Sequence, residues 1–179
     1  MKEILGVAAV AIGIVGYSAY FRDIFAGRTK PHSFSWLVWG ILTGIGFFGQ
    51  IAGHGGPGAW VTGFTAVICL VIFFLALSKG EKKIVLVDWL SLLGAGVALL
   101  LWAITKSPLL SVILVTLIDA FGFFPTFRKA YSKPREETLV QYVLAGLKFV
   151  LAFFALTKVS IITVLYPASL VIMNWAFVL

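Results

Sequence analysis

The chain has 179 residues, 61% of them hydrophobic and only 12% charged, with a mean hydropathy of +1.06. A water-soluble domain of this length has too little interior to hide so much apolar side chain, so composition excludes an ordinary soluble fold and points to lipid as the solvent. The net charge of +7 belongs to the same picture. Lysine and arginine gather between apolar runs, as in the loops of membrane proteins, and are not read as a nucleic-acid surface.

A helix that crosses the hydrocarbon core needs about 20 predominantly apolar residues. Punctuation by Gly, Pro and charge predicts seven of them, over 3–26, 33–54, 57–78, 83–104, 108–131, 136–157 and 160–179. The first run, opening after Lys2, is longer than a signal-peptide core and no convincing small-residue cleavage site follows it, so it is kept as a membrane helix. The connections are short, which forces neighbours to run antiparallel and leaves no room for a soluble domain. Ten basic residues fall on one side: Arg22, Arg28, Lys30, Lys79, Lys82, Lys83, Arg128, Lys129, Lys133 and Arg135. Only Lys2, Lys106 and Lys158 fall on the other. The positive-inside rule then predicts an outside N-terminus and a cytoplasmic C-terminus, and the short loops suit a bacterial inner membrane.

The end of the first helix, Gly16-Tyr-Ser-Ala-Tyr-Phe21-Arg22, is followed by Thr29-Lys30-Pro31 and then Ser35. The end of the fifth, Gly122-Phe-Phe-Pro125-Thr-Phe127-Arg128, is followed by Ser132-Lys133-Pro134 and then Thr138. The same corner thus occurs twice on the same membrane side. The copies are four helices apart, an even number, so the two units are expected to be parallel: 1–78 as a first three-helix unit, 79–106 as a linker helix, 107–179 as a second unit.

This architecture and these corners resemble the PQ-loop superfamily, which includes the SWEET sugar transporters. Pro125-Thr126 keeps the proline of the family's Pro-Gln pair, whereas the first unit reads Ser18-Ala19. The turns Arg28-Thr29-Lys30-Pro31 and Ser132-Lys133-Pro134, with Ser35 and Thr138, match the family's basic turn and following hydroxyl. The place of the Pro-Asn pair found in sugar-binding members reads Pro167-Ala168, with Asn174 further along. The resemblance implies transport of a small molecule (a sugar, an amino acid or a similar metabolite) by alternating access, either as a uniporter or coupled to protons. Homo-oligomerisation is left open. The expected site lies between the bundles near the bilayer midplane.

An ionisable side chain at that depth costs roughly 2.5–3.5 kcal/mol on insertion scales and asks for a partner or a task. Asp119 and Lys148 sit about halfway along the fifth and sixth helices and could meet. They are read either as a structural ion pair or as groups lining the substrate path. Asn174, Trp39 and Tyr142 complete the candidate substrate-binding set; the weaker polar positions are Trp36, Gln50, Thr62 and Thr65. Asp88 is read as an interfacial anchor within reach of Lys82 or Lys83, and Trp60, Trp89 and Trp102 as belt residues. Gly40, Gly44, Gly46, Gly94 and Gly96 are read as packing sites. Pro125 and Pro167 are candidate hinges. His32 and His54 read as loop residues far apart, and Cys69 is the sole cysteine. The sequence shows no metal-ligand cluster, nucleophile–base pair or phosphate-binding glycine loop. An enzyme is therefore not expected, nor is a cofactor. The competing class is a receptor or assembly subunit that uses the same fold without transport.

Overall fold

The computed structural model describes residues 1–81 and 85–179, apart from the side chains of Ser91, Ala95, Ala98, Leu99, Trp102, Phe124, Pro125 and Pro134. Among the described residues there are seven α-helices: α1 (Lys2–Phe25), α2 (Ser33–Ala52), α3 (Trp60–Lys79), α4 (Leu86–Thr105), α5 (Pro108–Ser132), α6 (Leu139–Ala155) and α7 (Ile161–Val178). Short 3-10 turns over Gly56–Ala59 and Pro134–Glu136 precede α3 and α6. Five of these helical stretches, Lys2–Phe25, Ser33–Ala52, Gly56–Lys79, Pro108–Ser132 and Ile161–Val178, are long and apolar enough to cross a membrane. Large apolar side chains such as Val15, Phe74, Leu117 and Ile172 point outward from them. That surface would be a liability in water and suits lipid.

Local chemistry sets the helix ends. Ser107 caps α5 by accepting from the Leu110 N–H, with Pro108 at the first helical position where its missing donor costs nothing. Ser160 and Thr163 form a reciprocal capping box at the start of α7. Gly27 and Gly56 adopt φ of 72° and 63°, which lets the chain turn sharply after α1 and before α3. The helix expected to begin near 136 starts instead at Leu139, because the segment after Lys133 first forms the 3-10 turn. Lys82, Lys83 and Ile84 lie outside the described residues.

The packing is specific. α1 runs along α6, and α2 along α5. α2 also packs on α3, and α6 on α7; α1 touches α3, and α5 touches α7. α4 lies against α5 and α2. Of the glycines read as packing sites, Gly46 does admit Tyr166, whose ring atoms would lie 2.4 Å from an added Cβ, and Gly40 admits Leu70 at 2.8 Å. Gly44 and Gly96 face open space, and Gly94 makes only ordinary contact, so these three are not close-approach sites.

Asp88 is a correction. It is fully buried and is not an interfacial anchor: its Oδ2 lies 3.2 Å from Nε2 of His32, which is itself 3% exposed at the N-cap of α2 rather than in an open loop. The contact ties α4 to the first corner. The suggested reach to Lys82 and Lys83 falls outside the described residues, as does the side chain of Pro125, although α5 continues as helix through that position.

Pro167 stands inside α7, where it has no N–H to give the carbonyl of Thr163 four residues back. In hydrocarbon that carbonyl needs another donor. Gln50 of α2, completely buried, supplies it: its Nε2 donates to the Thr163 oxygen at 3.2 Å. Gln50→Ala is therefore expected to lower the stability of the detergent-solubilised protein by about 1–3 kcal/mol. In a Pro167→Ala background, where the backbone can refill the bond, the loss should shrink. A denaturation double-mutant cycle with no coupling between the two positions would refute the pairing.

Candidate functional site

The two charged side chains at mid-helix are held by different neighbours. Lys148 is 1% exposed. Its Nζ donates to Thr65 Oγ1 of α3 at 2.8 Å and to the Tyr17 hydroxyl of α1 at 3.1 Å, and it lies 4.3 Å from the centre of the Tyr17 ring. Gly13 of α1 leaves room for its stem, since a Cβ there would lie 3.4 Å from Lys148 Cδ. Asp119, also 1% exposed, accepts from the Tyr166 hydroxyl of α7 at 3.3 Å through Oδ1. Its Oδ2 is buried and has no hydrogen-bond partner among the described residues. Thr43 of α2, whose hydroxyl donates to the Trp39 carbonyl, sits 3.3 Å from that tyrosine oxygen.

Asp119 and Lys148 thus do not form the ion pair that their depth allowed. Helices α5 and α6 pack on different partners, α5 along α2 and α6 along α1. Among the described residues, Lys148 meets hydroxyls and aromatic faces instead of a carboxylate, and Asp119 meets one phenol instead of a cation.

Both nonetheless line the same chamber of about 40 Å³, which Trp39, Tyr142 and Asn174 also line. All five residues singled out for substrate binding therefore share one cavity. Trp39 presents a second such group, a buried Nε1 with no acceptor among the described residues. Tyr142 donates to Glu137 Oε2 at 3.2 Å, and Asn174 Nδ2 donates back to the Leu170 carbonyl at 2.7 Å. Aromatic rings complete the wall: Trp36 and Trp39 pack edge to face with centroids 5.2 Å apart, and Phe123 lies 4.8 Å from Trp39. The chamber has room for about one to three waters.

No family model, curated protein or solved structure matches this chain. Function is therefore read from the chamber and from what closes it.

On the basic face, the turn after α1 and the end of α5 with the turn that follows it are hydrogen-bonded to each other. Asp23, one residue after Phe21-Arg22, accepts from Arg28 Nη2 and from Thr138 Oγ1 (3.0 Å). Thr138 Oγ1 also sits 2.6 Å from Thr29 Oγ1. Lys129, one residue after Phe127-Arg128, donates to Glu137 at 2.7 Å and to the carbonyls of Lys30 and Glu136. Lys133 pairs with Glu81 at 2.7 Å, and that carboxylate raises the lysine's pKa above its ordinary value. The opposite face is shut by packing: Gly6 fits against Pro57, Lys2 Nζ donates to the Leu156 carbonyl at 2.6 Å, and Thr157 N–H donates to Gly55.

Sequence reasoning missed Tyr17 and Tyr166, which hold the two charges, and Asp23 and Lys129, which hold the corners. The first pair left no signal beyond being tyrosines in apolar runs. The second pair did, since both occupy the position after a repeated Phe-Arg.

Cys69 lines the chamber at 2% exposure and is the native reporter of access to it. Asp23→Ala removes the carboxylate that Thr138 and Arg28 share. Charged hydrogen bonds of this kind are worth about 1.5–3 kcal/mol, so labelling of Cys69 by a small hydrophilic thiol reagent should accelerate about tenfold or more. An unchanged labelling rate would show that the corner does not seal the chamber.

Proposed function

We propose that the chain is a small-solute membrane transporter of PQ-loop/SWEET-like type, with all seven α-helices crossing the membrane. Two parallel three-helix units, α1–α3 and α5–α7, are joined by the linker helix α4. The packing pattern supports this reading: exchanging α1 with α5, α2 with α6 and α3 with α7 turns the α2–α3 contact into α6–α7, the α1–α3 contact into α5–α7, and the α1–α6 contact into the α5–α2 contact. The repeated glycines fit as well. A Cβ at Gly16 would meet Gln141 of α6, and one at Gly122 would approach Trp39 of α2, so each lets its helix close on the second helix of the other unit.

The observation that carries transport is a pair of separated ionisable side chains, Asp119 and Lys148, which face one cavity about midway along their helices with no ion partner among the described residues. A subunit built only for packing gains nothing from two such groups, each costly in hydrocarbon. A solute path does. The contacts on both faces are consistent with an occluded conformation. Alternating access would part the basic-face corners or the opposite-face contacts in turn by rocking one unit against the other, with Pro125 and Pro167 as candidate hinges. The excess of basic residues at the corners supports placing them in the cytoplasm and the N-terminus outside.

The test is flux. Purified protein in proteoliposomes should exchange at least one solute from a panel of sugars, amino acids and organic acids, and Asp119→Asn should cut that exchange about tenfold or more while the protein stays folded. Flux no greater than in empty liposomes across the panel would favour the receptor or assembly-subunit reading instead. Equal flux in the variant would remove Asp119 from the path.

A further inference from the structure

We infer that the face α5 shares with α4 binds one anionic phospholipid, its phosphate in a basic cavity at Arg128 and Lys133 and an acyl chain in the apolar groove alongside. The inference does not depend on transport. It needs only the lipid that the long apolar helices suit.

The repeated Phe-Arg is where the two corners differ. After Phe21-Arg22 comes Asp23, whose carboxylate lies 3.0 Å from Arg22 Nε and also takes Arg28. After Phe127-Arg128 comes Lys129. The second arginine thus has a cation where the first has its counter-ion. The ion pairs around it join Lys129 to Glu137 and Lys133 to Glu81, and Arg128 belongs to none among the described residues.

Arg128 lines a cavity of about 100 Å³ with His32, Glu81, Lys129, Ser132 and Lys133. His32 is held by Asp88, and Lys129 by Glu137 and two carbonyls. That leaves the Arg128 guanidinium as surplus positive charge. Lys133, half exposed, spends one hydrogen bond on Glu81 and keeps donors for a second oxygen. The carbonyls of the last turn of α5 would repel an anion, but Ser132 Oγ lies within hydrogen-bond reach of those of Arg128 and Lys129. The Lys133 N–H also donates to the Lys129 carbonyl. An arginine fork beside a lysine suits a phosphate.

Away from this cavity the same face of α5 is apolar. Phe121 stands seven residues before Arg128, nearly in line with it and about 10 Å away along the helix axis. Phe121 and Ile118, with Val87, Leu90 and Gly94 of α4, line a groove of about 300 Å³. Gly94 leaves it wide, because even a Cβ there would come no nearer to Ile118 than 3.6 Å. Groove and cavity adjoin at the start of α4, where Asp88, next to Val87, reaches His32. A glycerol ester spans the step from phosphate to chain. Free phosphate would serve Arg128 and leave the groove unfilled. A zwitterionic lipid would fill the groove and bring its own cation to Arg128. An anionic phospholipid serves both.

The test is native mass spectrometry of the delipidated, detergent-purified full chain, titrated with dioleoyl phosphatidylglycerol, dioleoyl phosphatidylcholine or inorganic phosphate. One phosphatidylglycerol should bind in preference to phosphatidylcholine. Arg128→Gln should weaken it about fivefold, the ~1 kcal/mol that one cation contributes at a lipid surface. Gly94→Leu, which fills the groove and keeps every charge, should weaken it severalfold as well. Arg135→Gln, at an exposed arginine outside the cavity wall, should leave binding unchanged. Equal binding of the two lipids by the unaltered protein would overturn the proposal, and that comparison needs no variant to fold. Equal losses from Arg135→Gln and Arg128→Gln would show diffuse attraction to the basic face and no site. Displacement of the lipid by phosphate, with no effect of Gly94→Leu, would reduce the site to a free-anion pocket and remove the lipid assignment.

Discussion

Burying an ionisable side chain is expensive, and this protein does it twice in the middle of its fold without pairing the two groups with each other. Lys148 is kept by two hydroxyls and an aromatic face, Asp119 by one phenol. Each arrangement draws on a different helix: α1 and α3 around the lysine, α7 and then α2 around the aspartate. The core therefore cannot be packed with aliphatic side chains alone. Tyr17, Thr65, Tyr166 and Thr43 have to converge on the chamber, and the helices carrying them must come together in one arrangement. The chamber is what remains between two charges that are held apart.

The same need to satisfy polar groups in lipid governs the backbone. Pro167 leaves a carbonyl open in α7, and Gln50 reaches across from α2 to close it. At the basic face, the turns after α1 and α5 cannot continue as helix, and their free carbonyls and hydroxyls are taken up by each other's side chains: Lys129 on Lys30, Thr138 on Asp23. These contacts are polar and, like Gln50, the side chains of Asp23, Lys129 and Thr138 are buried.

The helical, membrane-suited fold was legible from composition and from the spacing of apolar runs, because a hydrocarbon solvent imposes length and polarity rules that few sequences meet by accident. The residues of the chamber were legible for the same reason: Asp119, Lys148 and Asn174 stand out against an apolar background. What they touch was not. Depth along two helices says nothing about which sides of the bundle those helices occupy, so a plausible Asp119–Lys148 pair gave way to two separate charges. Asp88 escaped a correct reading because its partner, His32, lies 56 positions earlier and looked like a loop residue. Gln50 and Pro167 were each visible, but their connection depends on which carbonyl the proline vacates and which helix faces it.

The central claim is that the two corners separate while the units stay intact, and the most direct measurement is a distance. Spin labels at positions 25 and 131, equivalent places just past the repeated Phe-Arg and both exposed, can be introduced in a Cys69→Ala background and the protein reconstituted in lipid nanodiscs. Pulsed electron–electron double resonance should show two populations of interlabel distance, the longer one enriched when Asp23→Ala is added. A single narrow distance, unmoved by that substitution, would mean that the corners are a permanent clasp and that the protein does not alternate access to its chamber.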